Sequence, residues 1–212
     1  MNKVFFDLEW NTGFLDGNSF DEIIEIGAVK TDEEYRQIDG FRRLIRPVIY
    51  RKMNPYIQKI LAITMKDLQG EEPLAAVAKV FFDWCGDCDT LIAWSGNDFG
   101  VLEKNLAHIG MKIPEQLGRY DVQMAYAYRT ENSIRNYALK TAVEAMELPE
   151  PEGQEYHDAY CDAQFTAAIG RALTERYGPL PAVEELQALK NTLVKPKKPK
   201  LPPVSYTHLR AH

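Results

Sequence analysis

Cysteine is scarce in this chain, with three residues among 212. An odd, small number excludes a disulfide framework as the basis of the fold and favours a reducing compartment. Basic charge is also in short supply. Lys and Arg number 25 against 31 Asp and Glu, a formal net charge of -6. No global field would draw in nucleic acid, so an anionic ligand needs a local basic patch or a bound cation. No apolar run approaches the roughly 20 residues of a membrane span, and the N-terminus lacks the pattern of a signal peptide. The expectation is a soluble, cytoplasmic protein with no membrane partner. Hydrophobic residues make up 45% of the chain, enough for one sizeable core and an appendage.

Period-two patterns dominate the first third. KVFFDLEW, EIIEIGAVKT and QIDGFRRLIRP read as three strands, separated by the polar stretches NTGFLDGNS and KTDEEYRQ. This predicts an antiparallel meander. PYIQKILAI and EPLAAVAKVFFDWC then have helical spacing, TLIAWSG is a short strand, and FGVLEKNLAHIG is helical. RYDVQMAYAY reads as a strand running into a helix, and SIRNYALKTAVEAMEL and HDAYCDAQFTAAIGRALTERYG as two more helices. Strands followed by strand–helix alternation predict an α/β fold, a mixed sheet with parallel strands after the meander and helices on both faces. Residues 1–177 form the expected domain. Residues 178–203 are expected to hold a short helix and a mobile, basic, proline-rich linker, VKPKKPKLPP. The final VSYTHLRAH resembles the translation of a sequencing adapter and is set aside as non-native.

Several carboxylates lie on apolar stripes. Asp7 and Glu9 are two apart in a strand, so both point to one face. Asp98 opens the buried face of a helix that continues through Val101, Leu102, Asn105 and Leu106. Asp162 shares a mid-helix stripe with Ala159, Phe165, Thr166 and Ile169, where aspartate has no propensity advantage. Taken alone, Asp98 reads as a helix cap, with Ser95–Asp98 as a capping box, and His157–Asp158 as an ordinary helix N-terminus. Buried ionised carboxylates cost several kcal/mol without compensation. One account serves all four acids: a divalent-metal site of hard oxygen ligands for Mg²⁺ or Mn²⁺, with His157 as a base.

FFDLEW, EIIEIGAV, IAWSGNDFGVLEKNL, YDVQMAY and HDAYCDAQFTAA occur in the order and spacing of the DEDDh 3′–5′ exonucleases. Over residues 2–175 the chain resembles that group of the ribonuclease H-like superfamily, which includes proofreading subunits. The tryptophan–glycine context before Asp98 is more similar to the branch of RNA-trimming exonucleases and a sporulation inhibitor. The resemblance implies a ribonuclease H-like five-stranded sheet, catalysis by Asp7, Glu9, Asp98, Asp162 and His157, and two cations held by Asp7, Glu9 and Asp162. Asp7 would bridge both ions, Asp98 would act through water, and His157 would take a proton from the attacking water. The implied reaction releases nucleoside 5′-monophosphates from single-stranded RNA or DNA 3′ ends. Where many relatives have threonine after the first-motif glutamate, this chain has Trp10 and Asn11. Asp121 matches a common family aspartate and is assigned a structural role.

Trp10, Asn11, Phe14 and Phe99 are candidate substrate contacts, with core packing the alternative for the aromatic rings. Arg42, Arg43, Arg46, Arg51 and Lys52 either contact phosphates or line an exposed strand face. Two other functions compete. One is a nucleic-acid-binding or regulatory module that keeps the fold without catalysis, although all five catalytic positions are filled. The other is a thiol redox protein using Cys85 and Cys88 in WCGDC. That motif follows a helix, so the dipole at its C-terminus opposes thiolate formation.

Overall fold

The computed structural model describes residues 1–61, 63–149 and 156–193. The proline-rich linker from residue 194 and the adapter-like terminus lie outside the described residues.

Strand β1 (Lys3–Leu15) pairs antiparallel with β2 (Asn18–Thr31), and β2 with β3 (Gln37–Leu44). NTGFLDGNS, expected as a connection, is strand on both sides of a two-residue turn. Only Asp16 and Gly17 leave the ladder, at φ of 50° and 79°. Asp-Gly with two positive φ values is the turn whose twist matches paired strands. Thr12 extends the pairing by donating its hydroxyl to Asp21 at 2.8 Å. The second connection is a turn, gathered by the Asp32 carboxylate, which accepts the amides of Glu34 and Arg36.

Two short strands, β4 (Thr90–Ala93) and β5 (Gly118–Asp121), complete a five-stranded mixed sheet of order β3-β2-β1-β4-β5, with the β1–β4 and β4–β5 pairs parallel. Alternation sorts its side chains. Val4, Phe6, Leu8, Ile26, Ala28 and Phe41 pack on one face against α3 (Leu74–Cys85) and α4 (Gly96–His108). Phe5, Val29, Ile92 and Trp94 pack on the other against α5 (Val122–Glu131), α6 (Leu139–Ala145) and α7 (Ala159–Tyr177). The last described helix, α8 (Val183–Leu193), joins that second layer through Leu186.

Two expected helices are shorter than their periodicity. Among the described residues, PYIQKILAI is helical only over α1 (Ile57–Ile60), which the one-turn α2 (Met65–Leu68) follows, and SIRNYALKTAVEAMEL only over α6. In the second case a tertiary contact wins over spacing. The Tyr137 carbonyl accepts Trp94 Nε1 and Gln123 Nε2, at 3.0 and 2.7 Å, which holds the preceding residues out of the helix.

The seat of α7 places the site. Gly27 sits beneath its first turn, and a Cβ there would lie 2.1 Å from the Ala159 carbonyl carbon and the Tyr160 nitrogen. Only glycine allows the helix backbone this close to β2.

Candidate active site

Asp7, Glu9, Asp98, His157 and Asp162 line one cleft of about 310 Å³, together with Trp10, Ile57, Ile60, Leu61, Trp94, Ser95 and Leu139. Three parts of the fold converge there. β1 presents Asp7 and Glu9 on the face that receives α7, just before a β-bulge between Glu9 and Trp10. The first turn of α4 brings Asp98 beyond the end of β4, and the first turn of α7 brings Asp162. His157 stands before the Asp158 N-cap with φ of 70°, and its side chain is exposed.

The capping contacts and the site coexist. Ser95 caps α4 by accepting the Asn97 amide, while its hydroxyl donates to Asp98 Oδ2 at 3.2 Å. Asp121 caps α5 through the Met124 amide and accepts the Gly96 amide at 3.0 Å, tying the start of α4 to β5. The His157 amide donates to Asp162 Oδ2 at 3.2 Å. The other oxygen, Asp162 Oδ1, is buried with no hydrogen-bond partner.

The cluster is electrostatically loaded. Burial, then repulsion from Asp98, Asp162, Glu9 and Glu25, holds the Asp7 carboxyl well above its ordinary value. Burial and Asp162 push Glu9 up to about 8. Burial raises Asp162 to about 7 against the pull of the His157 amide, and Asp98 to about 6 against the Ser95 bond. The acids therefore favour either protons or a cation between them. Donor atoms of Glu9, His157 and Asp162 lie within 4.8 Å of one another. Carboxylate oxygens, one of them buried and unpartnered, with an imidazole beside them fit a divalent cation.

The candidate substrate contacts divide. Trp10 lines the cleft. Asn11 does not, because its side chain is 1% exposed overall and fully engaged, donating to the Lys52 carbonyl and accepting the Asn54 amide. Phe99 packs edge-on against Phe6 in the core, and Phe14 is exposed near the β1–β2 turn, outside the cleft lining. Sequence reasoning missed Glu25, fully buried and directly opposite Glu9 in the β1–β2 register. Its signal was a lone carboxylate inside IIEIG, legible once the register is known. The apolar wall from Ile57, Ile60, Leu61 and Leu139 carried no signal at all. Cys85 ends α3, and burial pushes its thiol up to about 12; Cys88 is raised by burial as well. Neither thiol is placed to ionise near neutral pH.

The model of the exonuclease family of the RNase T type matches residues 4–169. The chain belongs to that family. Its sheet and helices form the fold of the ribonuclease H-like DEDDh exonucleases. A curated relative, the PolC-type DNA polymerase III of Clostridium perfringens, is 29% identical over 169 residues. The match covers 78% of this chain but 11% of the polymerase, so the chain spans about a tenth of that relative's length. Among solved structures, the nuclease domain of a DEDDh 3′-exonuclease bound to rAMP superposes with a TM-score of 0.72 at 16% identity, covering 85% of this chain and 94% of that one. Exonuclease I of E. coli in complex with a dA16 oligonucleotide gives 0.64 at 18% identity, over 83% and 41%. Among the described residues, no helix is long and apolar enough to cross a membrane.

Proposed function

We propose that the chain is a metal-dependent 3′–5′ exonuclease that releases nucleoside 5′-monophosphates from single-stranded RNA or DNA. The observation that carries the reading is the convergence of Asp7, Glu9, Asp98, Asp162 and His157 on one cleft in a chain of the exonuclease family. Two divalent cations, Mg²⁺ or Mn²⁺, would be held by Asp7, Glu9 and Asp162, with Asp98 acting through water. When bound they supply charge stabilisation to the attacking and leaving oxygens of the phosphodiester.

The chain's own residues supply the rest. His157 takes a proton on an imidazole nitrogen as a water oxygen forms its bond to phosphorus. The P–O3′ bond breaks, and the 3′ oxygen leaves with the remaining strand and gains a proton from solvent. His157 is exposed, so that proton passes to bulk water without a relay. Trp10, Trp94 and Leu139 form an apolar wall for the terminal base, where stacking contributes about 1–3 kcal/mol per base whatever its sequence. With three free cysteines among the described residues, a reducing, cytoplasmic setting suits the chain.

The test uses matched 5′-labelled single-stranded RNA and DNA on a denaturing gel, with Mg²⁺, Mn²⁺ or chelator. A metal-dependent ladder shortening from the 3′ end is expected. Asp7→Asn and His157→Ala should each abolish most of it, and the faster substrate assigns the branch. Full activity in either variant would overturn its role. Binding of the strands with no ladder under either metal would make the chain a non-catalytic binding module.

A further inference from the structure

Arg42, on β3, lies outside the cleft yet is wired into its framework. Its Nε donates to Glu25 Oε1 at 2.8 Å and its Nη2 to Asp158 Oδ2 at 2.6 Å. Glu25 is the buried carboxylate opposite Glu9. Asp158 is the N-cap of α7, its Oδ1 accepting the Cys161 amide at 3.1 Å. Arg42 is the cross-strand partner of Gly27, the residue beneath that same turn. One guanidinium therefore joins the edge strand β3 and its neighbour β2 to the cap of the helix that carries Asp162, next to His157.

We propose that Arg42 is a positioning residue, clamping the first turn of α7 to β2 so that Asp162 and His157 face Glu9. The consequence for cation binding rests on the function proposed above; the clamp itself does not. The fork geometry suits arginine, since Nε and Nη2 reach two carboxylates on different elements at once. A plain electrostatic role predicts the opposite sign. Removing a nearby positive charge without moving α7 would tighten cation binding, whereas releasing the clamp weakens it.

The experiment compares wild type, Arg42→Gln, Arg42→Lys and Asp158→Asn by amide hydrogen exchange across α7 and by Mn²⁺ titration calorimetry. Asp7→Asn is the control for the carboxylate site. Asp158→Asn keeps a competent N-cap and breaks the ion pair, but it also removes a negative charge felt by Glu9 and Asp162, so if Arg42→Gln fails to fold its exchange in α7, not its Mn²⁺ affinity, decides the matter. The expected result is faster exchange in the first turn of α7, with β1 and β2 unchanged, and Mn²⁺ binding about tenfold weaker. Arg42→Lys, which keeps the charge and loses the fork, should fall between. Unchanged exchange overturns the proposal, as does unchanged or tighter Mn²⁺ binding. If wild-type Mn²⁺ binding is absent or survives Asp7→Asn, the reading of the acids fails, and the exchange data decide the clamp alone.

Discussion

Replacing Gly27 with alanine tests the seat of α7 directly. The new Cβ would lie 2.1 Å from Ala159 C and Tyr160 N and 2.5 Å from Ala159 O, all backbone atoms that cannot rotate aside. Ordinary contact begins near 3.4 Å, so helix and strand must separate by about 1 Å. Overpacking of this kind costs about 1–3 kcal/mol. For a chain of this size, each kcal/mol lowers Tm by roughly 2–4 °C, so a drop of about 2–12 °C is expected. The same displacement moves Asp162 and His157 away from Glu9, and a 1 Å misplacement is worth about 10²-fold in rate. Gly100→Ala is the matched control. Nothing lies within 4 Å of a Cβ there, and the position is inside helix α4, so alanine should stabilise by about 0.4–1 kcal/mol and leave the rate alone. Thermal melts and ladder rates on both variants give the answer. Gly27→Ala melting within about a degree of wild type at full rate would refute the argument.

Other perturbations read the charge and the thiols. With chelator present, Glu9 and Asp162 titrate at about 8 and about 7 in the folded chain, against about 4 when unfolded. The folded state then holds more protons across that window, so stability should be highest near pH 5 and fall toward pH 8. Glu9→Gln should flatten this slope, and Mn²⁺ should raise Tm more at pH 8 than at pH 5; a Tm that climbs from pH 5 to 8 in chelator would refute the electrostatic description. The Cys85 thiol, pushed up to about 12, should resist iodoacetamide in the native protein at pH 7.5. Mass spectrometry of the treated protein checks this, and rapid labelling with loss of nuclease activity would revive the thiol reading.

Much of the site was legible because strand and helix periods are local rules. The two-residue spacing put Asp7 and Glu9 on one face, and helical spacing put Asp98 at the start of a buried face and Asp162 on an apolar stripe; Asp162, expected mid-helix, lies instead in the first turn of α7. What the chain hides is whatever depends on register or on a distant partner. Glu25 joins the acids only because it falls opposite Glu9 across β1 and β2. Asn11 looked like a substrate contact beside Glu9, yet it is consumed by backbone groups at Lys52 and Asn54, more than 40 residues away. Phe99 neighbours Asp98 in sequence, but one residue is about 100° of helix, which turns its ring to Phe6. The loss of helix before Leu139 has the same origin, in hydrogen bonds from Trp94 and Gln123 that no window of spacing contains.

His157 holds a left-handed backbone, with φ of 70°. For a residue with a Cβ that conformation costs roughly 1–2 kcal/mol relative to the right-handed basin, and glycine would adopt it freely. A chain selected for durability alone would therefore drift toward glycine or asparagine at this position, gaining thermal resistance while losing its imidazole. Sequence variants recovered purely by heat challenge should be enriched in that exchange, whereas variants recovered by nucleic-acid turnover should retain histidine. Mutational tolerance at a single bend would in this way separate the demands of folding from those of chemistry.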